Sequence, residues 1–280
     1  MSDKPNTYRA LSSDHPRGST WEPKLVAVDA DGTIVDSHDR VPGPIVAKLR
    51  QIDGLGVPIV LVTGRSWLSS QLVIDQLSLA WMYCVCNNGA TVVSYPPLEV
   101  CKAETFDAAP VIEVVRGHPT TVVAVEEFGR GYKVSQPFPP GVYDLHGELR
   151  VVPLDDIACE PVSRLILRDP IATPEDFDAM VAELDLSSLY HSKGGENWLD
   201  LGADTGGKDK GLEFVAARLG INQSDVLALG DGYNDIDLLS WAGRGVALEG
   251  APEDLLAVAN DITGSFESGG TVAELERWFG

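Results

Sequence analysis

The stretch KLVAVDADGT, residues 24–33, decides how the chain folds. Four apolar residues, Leu25 to Val28, run without alternation and stop on Asp29, Ala30, Asp31, Gly32 and Thr33. A short continuous apolar run suits a strand covered on both faces, as in a parallel sheet. Two carboxylates then fall at the carboxyl end of that strand, the edge where open α/β sheets collect their ligands.

The same rhythm spreads outward from this point. PGPIVAKLRQIDGLG (42–56) has helical spacing at Ile45, Leu49 and Ile52, with Gly54 and Gly56 as stop signals. VPIVLVTGR (57–65) reads as a second buried strand, SWLSSQLVIDQLSL (66–79) as a helix, and AWMYCVCNNGA (80–90) as a third strand ending on Asn87, Asn88 and Gly89. The alternation returns late: GKDKGLEFVAARLG (207–220) is helical, DVLALGD (225–231) a strand, NDIDLLSWA (234–242) a helix, RGVAL (244–248) a strand and TVAELERWFG (271–280) a terminal helix. Strand and helix in alternation predict an α/β fold with a Rossmann-like, doubly wound parallel sheet.

Between these halves the texture changes. Pro and Gly breaks separate short β-rich runs, TTVVAVEEF (120–128), RGYKVS (130–135) and PVSRLILRD (161–169), and EDFDAMVAELDLSSL (175–189) supplies a helix with Thr173 and Pro174 as cap and first turn. We therefore expect a flexible tail over 1–22, a core over 23–92 and 193–280, and an inserted α+β cap over 93–192, with PFPPG (137–141) as a rigid turn or linker. So long an insertion is expected to form a lid over the strand ends, excluding water and selecting the leaving group.

Twenty-one Lys and Arg stand against 42 Asp and Glu, a formal charge of −21, which repels phosphate backbones and anionic lipid; nucleic-acid and membrane partners are not expected. No run has the apolar length of a membrane span, and a cytoplasmic location is expected. The four cysteines contain no C-x-x-C pair, and Cys84 and Cys86, two apart on a strand, share a face and read as core filler rather than a redox pair.

DADGT (29–33) is similar to the first motif of the haloacid dehalogenase superfamily, specifically its Cof-like, subclass IIB sugar-phosphatase branch with a C2-type cap. The resemblance continues in order through VTGR (62–65), KDKG (208–211) and GDGYND (230–235), and NNGA (87–90) resembles the segment that leads this branch into its cap. It implies a Mg2+-dependent phosphatase acting on a small phosphorylated metabolite, a sugar phosphate or similar, through an aspartyl-phosphate. By the resemblance Asp29 is the nucleophile and Asp31 the general acid that protonates the departing alkoxide and later deprotonates water. A haloacid dehalogenase has no leaving-group oxygen to protonate, so the second aspartate favours phosphoryl transfer.

Asp29, the backbone carbonyl of Asp31, and Asp231 fit a magnesium ion, with Asp235 binding it directly or orienting a water. Thr63 and Gly64 are placed to hold phosphate oxygens at a helix start, and Asn234 resembles the family's phosphate-contacting amide. Asn88 does the same or merely ends its strand. Lys210 is the candidate ammonium, preferred over Lys208 because Lys-Gly matches the family pattern. Arg130, Tyr132, Lys133 and His191 are candidates for reading a sugar or polyol, each weighed against an ordinary surface or packing role. Two other functions compete: a phosphomutase of the same superfamily, and a phosphoacceptor or metabolite-binding regulator.

Overall fold

A computed structural model describes residues 21–139, 145–195, 197–204 and 207–280. Most of the expected tail, and Pro140 and Gly141 of the PFPPG turn, lie outside the described residues. Trp21, inside the expected tail, packs its indole edge-on against Trp278 at 4.7 Å and donates to the Ser224 carbonyl at 2.7 Å.

The strands are β1 (Leu25–Val28), β2 (Ile59–Val62), β3 (Met82–Cys86), β4 (Thr91–Tyr95), β5 (Glu99–Ala103), β6 (Val122–Glu127), β7 (Gly131–Val134), β8 (Glu148–Val151), β9 (Arg164–Arg168), β10 (Leu189–Gly194), β11 (Trp198–Ala203), β12 (Val226–Gly230), β13 (Arg244–Leu248) and β14 (Asp261–Thr263). The helices are α1 (Gly43–Gly54), α2 (Trp67–Leu77), α3 (Ala109–Val115), α4 (Pro174–Ala182), α5 (Lys208–Leu219), α6 (Ile236–Trp241), α7 (Glu253–Val258) and α8 (Gly270–Phe279).

They build two sheets. The first has eight strands in the order β14-β13-β12-β1-β2-β3-β4-β5, parallel from β14 to β3 and antiparallel through β4 and β5. Its central strand β1 is buried on both faces, with Val26 and Val28 in one apolar cluster and Leu25 and Ala27 in the other. Each Val or Leu so buried contributes about 1.5–3 kcal/mol, which is why an unalternating run holds the middle of the sheet. Ile45, Leu49 and Ile52 of α1 cover one face, and Leu212, Val215 and Ala216 of α5 the other. Cys84 and Cys86 point into the first of these clusters as free thiols, and burial pushes the Cys86 thiol up, away from the reactive thiolate.

The second sheet has six strands in the order β10-β11-β9-β6-β7-β8. One face packs on α3 and α4 through Val123, Val125, Leu165, Leu167 and Phe177. Thr173 caps α4 by accepting the Asp176 N–H at 3.1 Å, with Pro174 in the first turn. The borders differ from those expected at 93 and 192: β5 extends the first sheet to Ala103, and β11 belongs to the second sheet and carries it to Ala203. Both are antiparallel partners of strands earlier in the chain, a pairing that local patterning does not specify. The other face of the second sheet turns toward the strand ends of the first.

Candidate active site

Adjacent parallel strands β12, β1, β2 and β3 end on Gly230, Val28, Val62 and Cys86, so Asp231, Asp29, Thr63 and Asn87 emerge side by side at one edge. This is the carboxyl edge where doubly wound sheets bind ligands.

Asp29 is buried and accepts a 2.6 Å hydrogen bond from the ammonium of Lys208, whose Nζ also donates to Asp235 at 2.7 Å. Asp235 is fully buried; its second oxygen accepts the backbone N–H groups of Asp231 at 3.0 Å and Gly232 at 2.9 Å. Asp231 accepts from the Thr33 hydroxyl at 3.0 Å. One oxygen each from Asp29, Asp231 and Asp235 lies within 4.8 Å of the others, so three carboxylates face one ammonium. Burial first, and Asp235 second, push Asp29 up and bring Asp231 to about 6, because the negative excess is poorly solvated. Burial alone would lower Lys208, but Asp235 and then Asp29 outweigh it and hold the ammonium charged.

The donor set fits a hard divalent cation: oxygen ligands only, a surplus of two negative charges, and little access to bulk water. Room for it comes from Gly32, whose φ of +73° is left-handed and where a methyl would stand 2.1 Å from Asp231 Oδ2.

The lysine expected at 210 is replaced by Lys208. Two positions along a helix rotate a side chain by about 200°, so Lys208 faces the strand ends while Lys210 faces solvent and bonds Glu213 at 3.0 Å. Gly211, three residues after Lys208, lies on the same inward side and lets α5 close on β3, since a methyl there would meet Val85 at 2.3 Å. The glycine thus belongs with Lys208 and marks packing, not the lysine beside it.

The carboxylate of Asp31 lies apart from the three clustered ones; it is largely exposed and gripped by Arg65, whose Nε donates at 2.9 Å and whose Nη2 also reaches Asp31 and, at 2.6 Å, Asp39. The side chain of Asp31 is therefore outside the cation cluster, and only its backbone carbonyl remains as the expected contact. Thr63 is buried and its hydroxyl accepts the Arg65 N–H at 3.1 Å. At Gly64 a methyl would stand 2.9 Å from Asn88 Oδ1 and 3.4 Å from Asn234 Nδ2, and those two amides bond each other at 3.0 Å. Thr63, Gly64, Asn88 and Asn234 therefore form one corner beside Asp29.

Of the four candidates in the insertion, Tyr132 alone is buried on the face turned toward the strand ends. Arg130 pairs with Glu148 on the surface, Lys133 alternates to the opposite face from Tyr132, and His191 is exposed on edge strand β10. Arg65 was visible only as a letter of VTGR, and its bridge from Asp31 to Asp39 needed the fold.

Residues 26–275 match the family model of haloacid dehalogenase-like hydrolases. The chain belongs to that family. A phosphoglycolate phosphatase of Methanopyrus kandleri is 28% identical over 90% of this chain and 95% of its own length. A solved haloacid dehalogenase-like hydrolase from Bacteroides thetaiotaomicron superposes with a TM-score of 0.78 at 21% identity, covering 91% of this chain and 99% of that one. A haloacid dehalogenase subclass IIB sugar phosphatase superposes with a TM-score of 0.72 at 20% identity, covering 91% and 98%. The chain is accordingly a haloacid dehalogenase-like hydrolase with the fold of those two structures. Among its described residues no helix is long and apolar enough to cross a membrane.

Proposed function

We propose that this chain is a magnesium-dependent phosphatase that hydrolyses a small phosphorylated metabolite, a sugar phosphate or similar, through an aspartyl-phosphate on Asp29. The observation that carries the reading is the Lys208 ammonium lodged between Asp29 and Asp235 beside a third carboxylate, Asp231. A phosphate monoester resists attack because its oxygens repel nucleophiles, so the site must neutralise charge and align an attacker.

Asp29 attacks phosphorus and takes the phosphoryl group; the ester oxygen leaves with a proton supplied by Asp31. Lys208, the Thr63 hydroxyl, the Gly64 amide and Asn234 hold the transferring oxygens, while Asp235 holds Lys208 in place. Asp31 then takes a proton from the water that opens the acyl phosphate, releasing inorganic phosphate and restoring Asp29. Arg65 steadies Asp31 at the rim. Magnesium, held by Asp29, Asp231, Asp235 and the Asp31 carbonyl, supplies positive charge that brings two anions together. The insertion covers the edge as a cap.

Phosphate release from a panel of sugar phosphates with Mg2+ is expected for the native chain and lost at least about a thousandfold in Asp29→Asn. Turnover that survives this replacement overturns the reading, and isomerisation of a sugar phosphate without free phosphate makes the chain a mutase.

A further inference from the structure

Each sheet of this protein ends on two open edges, β14 and β5 in the first and β10 and β8 in the second. An edge strand presents unpaired N–H and C=O groups to any chain that lies beside it, and charged side chains usually blunt that exposure. The four edges differ in how their charges are spaced. β14 carries only Asp261, and β10 carries His191 and Lys193 with no acid. Within β5 the acid and the base, Glu99 and Lys102, are three apart. Among the described strands β8 is the edge that sets them two apart, with Glu148 and Arg150 on either side of Leu149.

That spacing matters because of symmetry. When two copies of one strand pair antiparallel about a two-fold axis, facing residues share a side of the sheet and the axis keeps each residue on its side, so facing residues are an even number of positions apart. In β5, Glu99 can therefore never face Lys102 of a second copy. In β8, with Leu149 facing itself, Glu148 faces Arg150 twice, whereas centring on Glu148 or on Arg150 sets like charges opposite each other. The backbone agrees. Glu148 and Val152 donate their N–H groups toward β7, to the carbonyls of Arg130 and Val134 at 2.9 Å each, so by alternation Leu149 and Val151 turn theirs outward. Leu149 is thus a hydrogen-bonded centre, and Glu148 and Arg150 fall at the non-hydrogen-bonded positions, where facing side chains approach most closely.

The side chains suit the same axis. Leu149 and Val151 lie beside Tyr132 and Val134 on the inner face, yet are 43% and 57% exposed; the pairing sets Leu149 against its own copy and Val151 against Gly147, which has no side chain to obstruct it. On the other face Glu148 uses one oxygen for Arg130, at 2.8 Å, and Arg150 uses Nη2 for Glu127, at 2.6 Å, while its Nε has no acceptor. Across the axis these pairs join into a run of alternating charge, Arg130 and Glu148 from one copy followed by Arg150 and Glu127 from the other.

We propose that β8 is a self-pairing edge, through which two copies of this chain join their second sheets antiparallel about Leu149 into one continuous sheet. The formal charge of −21 on each copy opposes this at long range, but salt at physiological strength screens it beyond about 8 Å, whereas the facing pairs are in contact. Four residues a side bury less than the roughly 1,200 Å2 of stable complexes, so the dimer is a weak one, with a dissociation constant on the order of 10–100 µM.

Sedimentation equilibrium of the full chain at physiological salt, from a few to several hundred micromolar, tests this. The native chain is expected to move from the mass of one copy toward that of two. Glu148→Arg and Arg150→Glu each set like charges opposite each other twice, and each is expected to weaken self-association at least about tenfold. An equimolar mixture of these two variants restores opposite charges at both positions and is expected to return to within about threefold of the native constant. Leu149→Pro removes the outward N–H and leaves the β7 ladder its donors, so it is expected to abolish the dimer with Tm little changed. A native chain that stays a single copy at several hundred micromolar, a mixture no tighter than its parts, or a dimer that Leu149→Pro leaves intact overturns the proposal.

Discussion

Two buried charge groups lie on facing sides of this molecule, and they are built to opposite rules. At the core edge, three carboxylates surround one ammonium, and burial pushes Asp29 and Asp231 up against their surplus charge. On the insertion's sheet, Arg164 is matched by Asp200 and also donates to the Tyr132 hydroxyl. Desolvation penalises uncompensated charge in both places. A group left unbalanced therefore asks for a cation to finish it, while a balanced one is free to hydrogen-bond something neutral.

The comparison breaks most visibly at the lysines. Lys208→Met removes the ammonium that bonds Asp29 and is expected to cut kcat/KM about a thousandfold, whereas Lys210→Met stays within about twofold, as removal of an exposed pair does. Equal losses in the two variants would return Lys210 to the site. In the insertion, Arg164→Met strands Asp200 and is expected to cost about 3–5 kcal/mol in denaturant unfolding, and adding Asp200→Leu is expected to recover a good part of it. A double variant no more stable than the single would show that the pair is not self-contained.

Magnesium sharpens the contrast. At about 100 times its dissociation constant a cation that binds only the folded chain adds about 2.7 kcal/mol, so chelation is expected to lower Tm, an effect that disappears in Asp231→Asn and persists in Arg164→Met. Chelator sensitivity unchanged by Asp231→Asn would place the cation elsewhere.

The smallest effect concerns a carboxylate satisfied entirely by neutral donors. Asp169, at the end of β9, accepts from the hydroxyls of Thr120 at 2.6 Å and Thr121 at 3.0 Å and from the N–H groups of Ile171 at 3.0 Å and Ala172 at 2.9 Å. Burial alone would raise it, but these donors, Thr120 foremost, hold it below the usual range. A depressed carboxyl contributes stability above its unfolded value of about 3.9, and that contribution fades as pH falls through the lower folded value. Asp169→Asn is expected to cost about 1.5–3 kcal/mol at pH 7 and progressively less below pH 4, read by urea unfolding across pH. A loss that is constant with pH would put the effect down to shape rather than charge.

Local pattern was enough for the architecture of the core. Short unalternating runs such as Leu25–Val28 suit strands buried on both sides, and the helix spaced at Ile45, Leu49 and Ile52 lies across them, so the polar residues that end each run, Asp29, Thr63, Asn88 and Asp231, meet at one edge. These features depend on neighbours within a few residues. The choice between Lys208 and Lys210 depends instead on the phase of α5 about its axis, which is set by Gly211 packing on Val85, and no short window records it. The same holds for the borders of the insertion, where β11 joins β9 and β10 by antiparallel pairing.

Sequence alone determined which carboxylates and amides end the strands, because burial and periodicity are properties of consecutive residues. Tertiary structure alone decided that Arg65 holds Asp31, that Asn87 reaches Glu126 across 39 positions, and that Arg164 closes on Asp200 across 36. Those contacts join residues whose chain separation carries no signal, and it is burial, bringing them together away from water, that fixes which charges balance and which wait for a ligand.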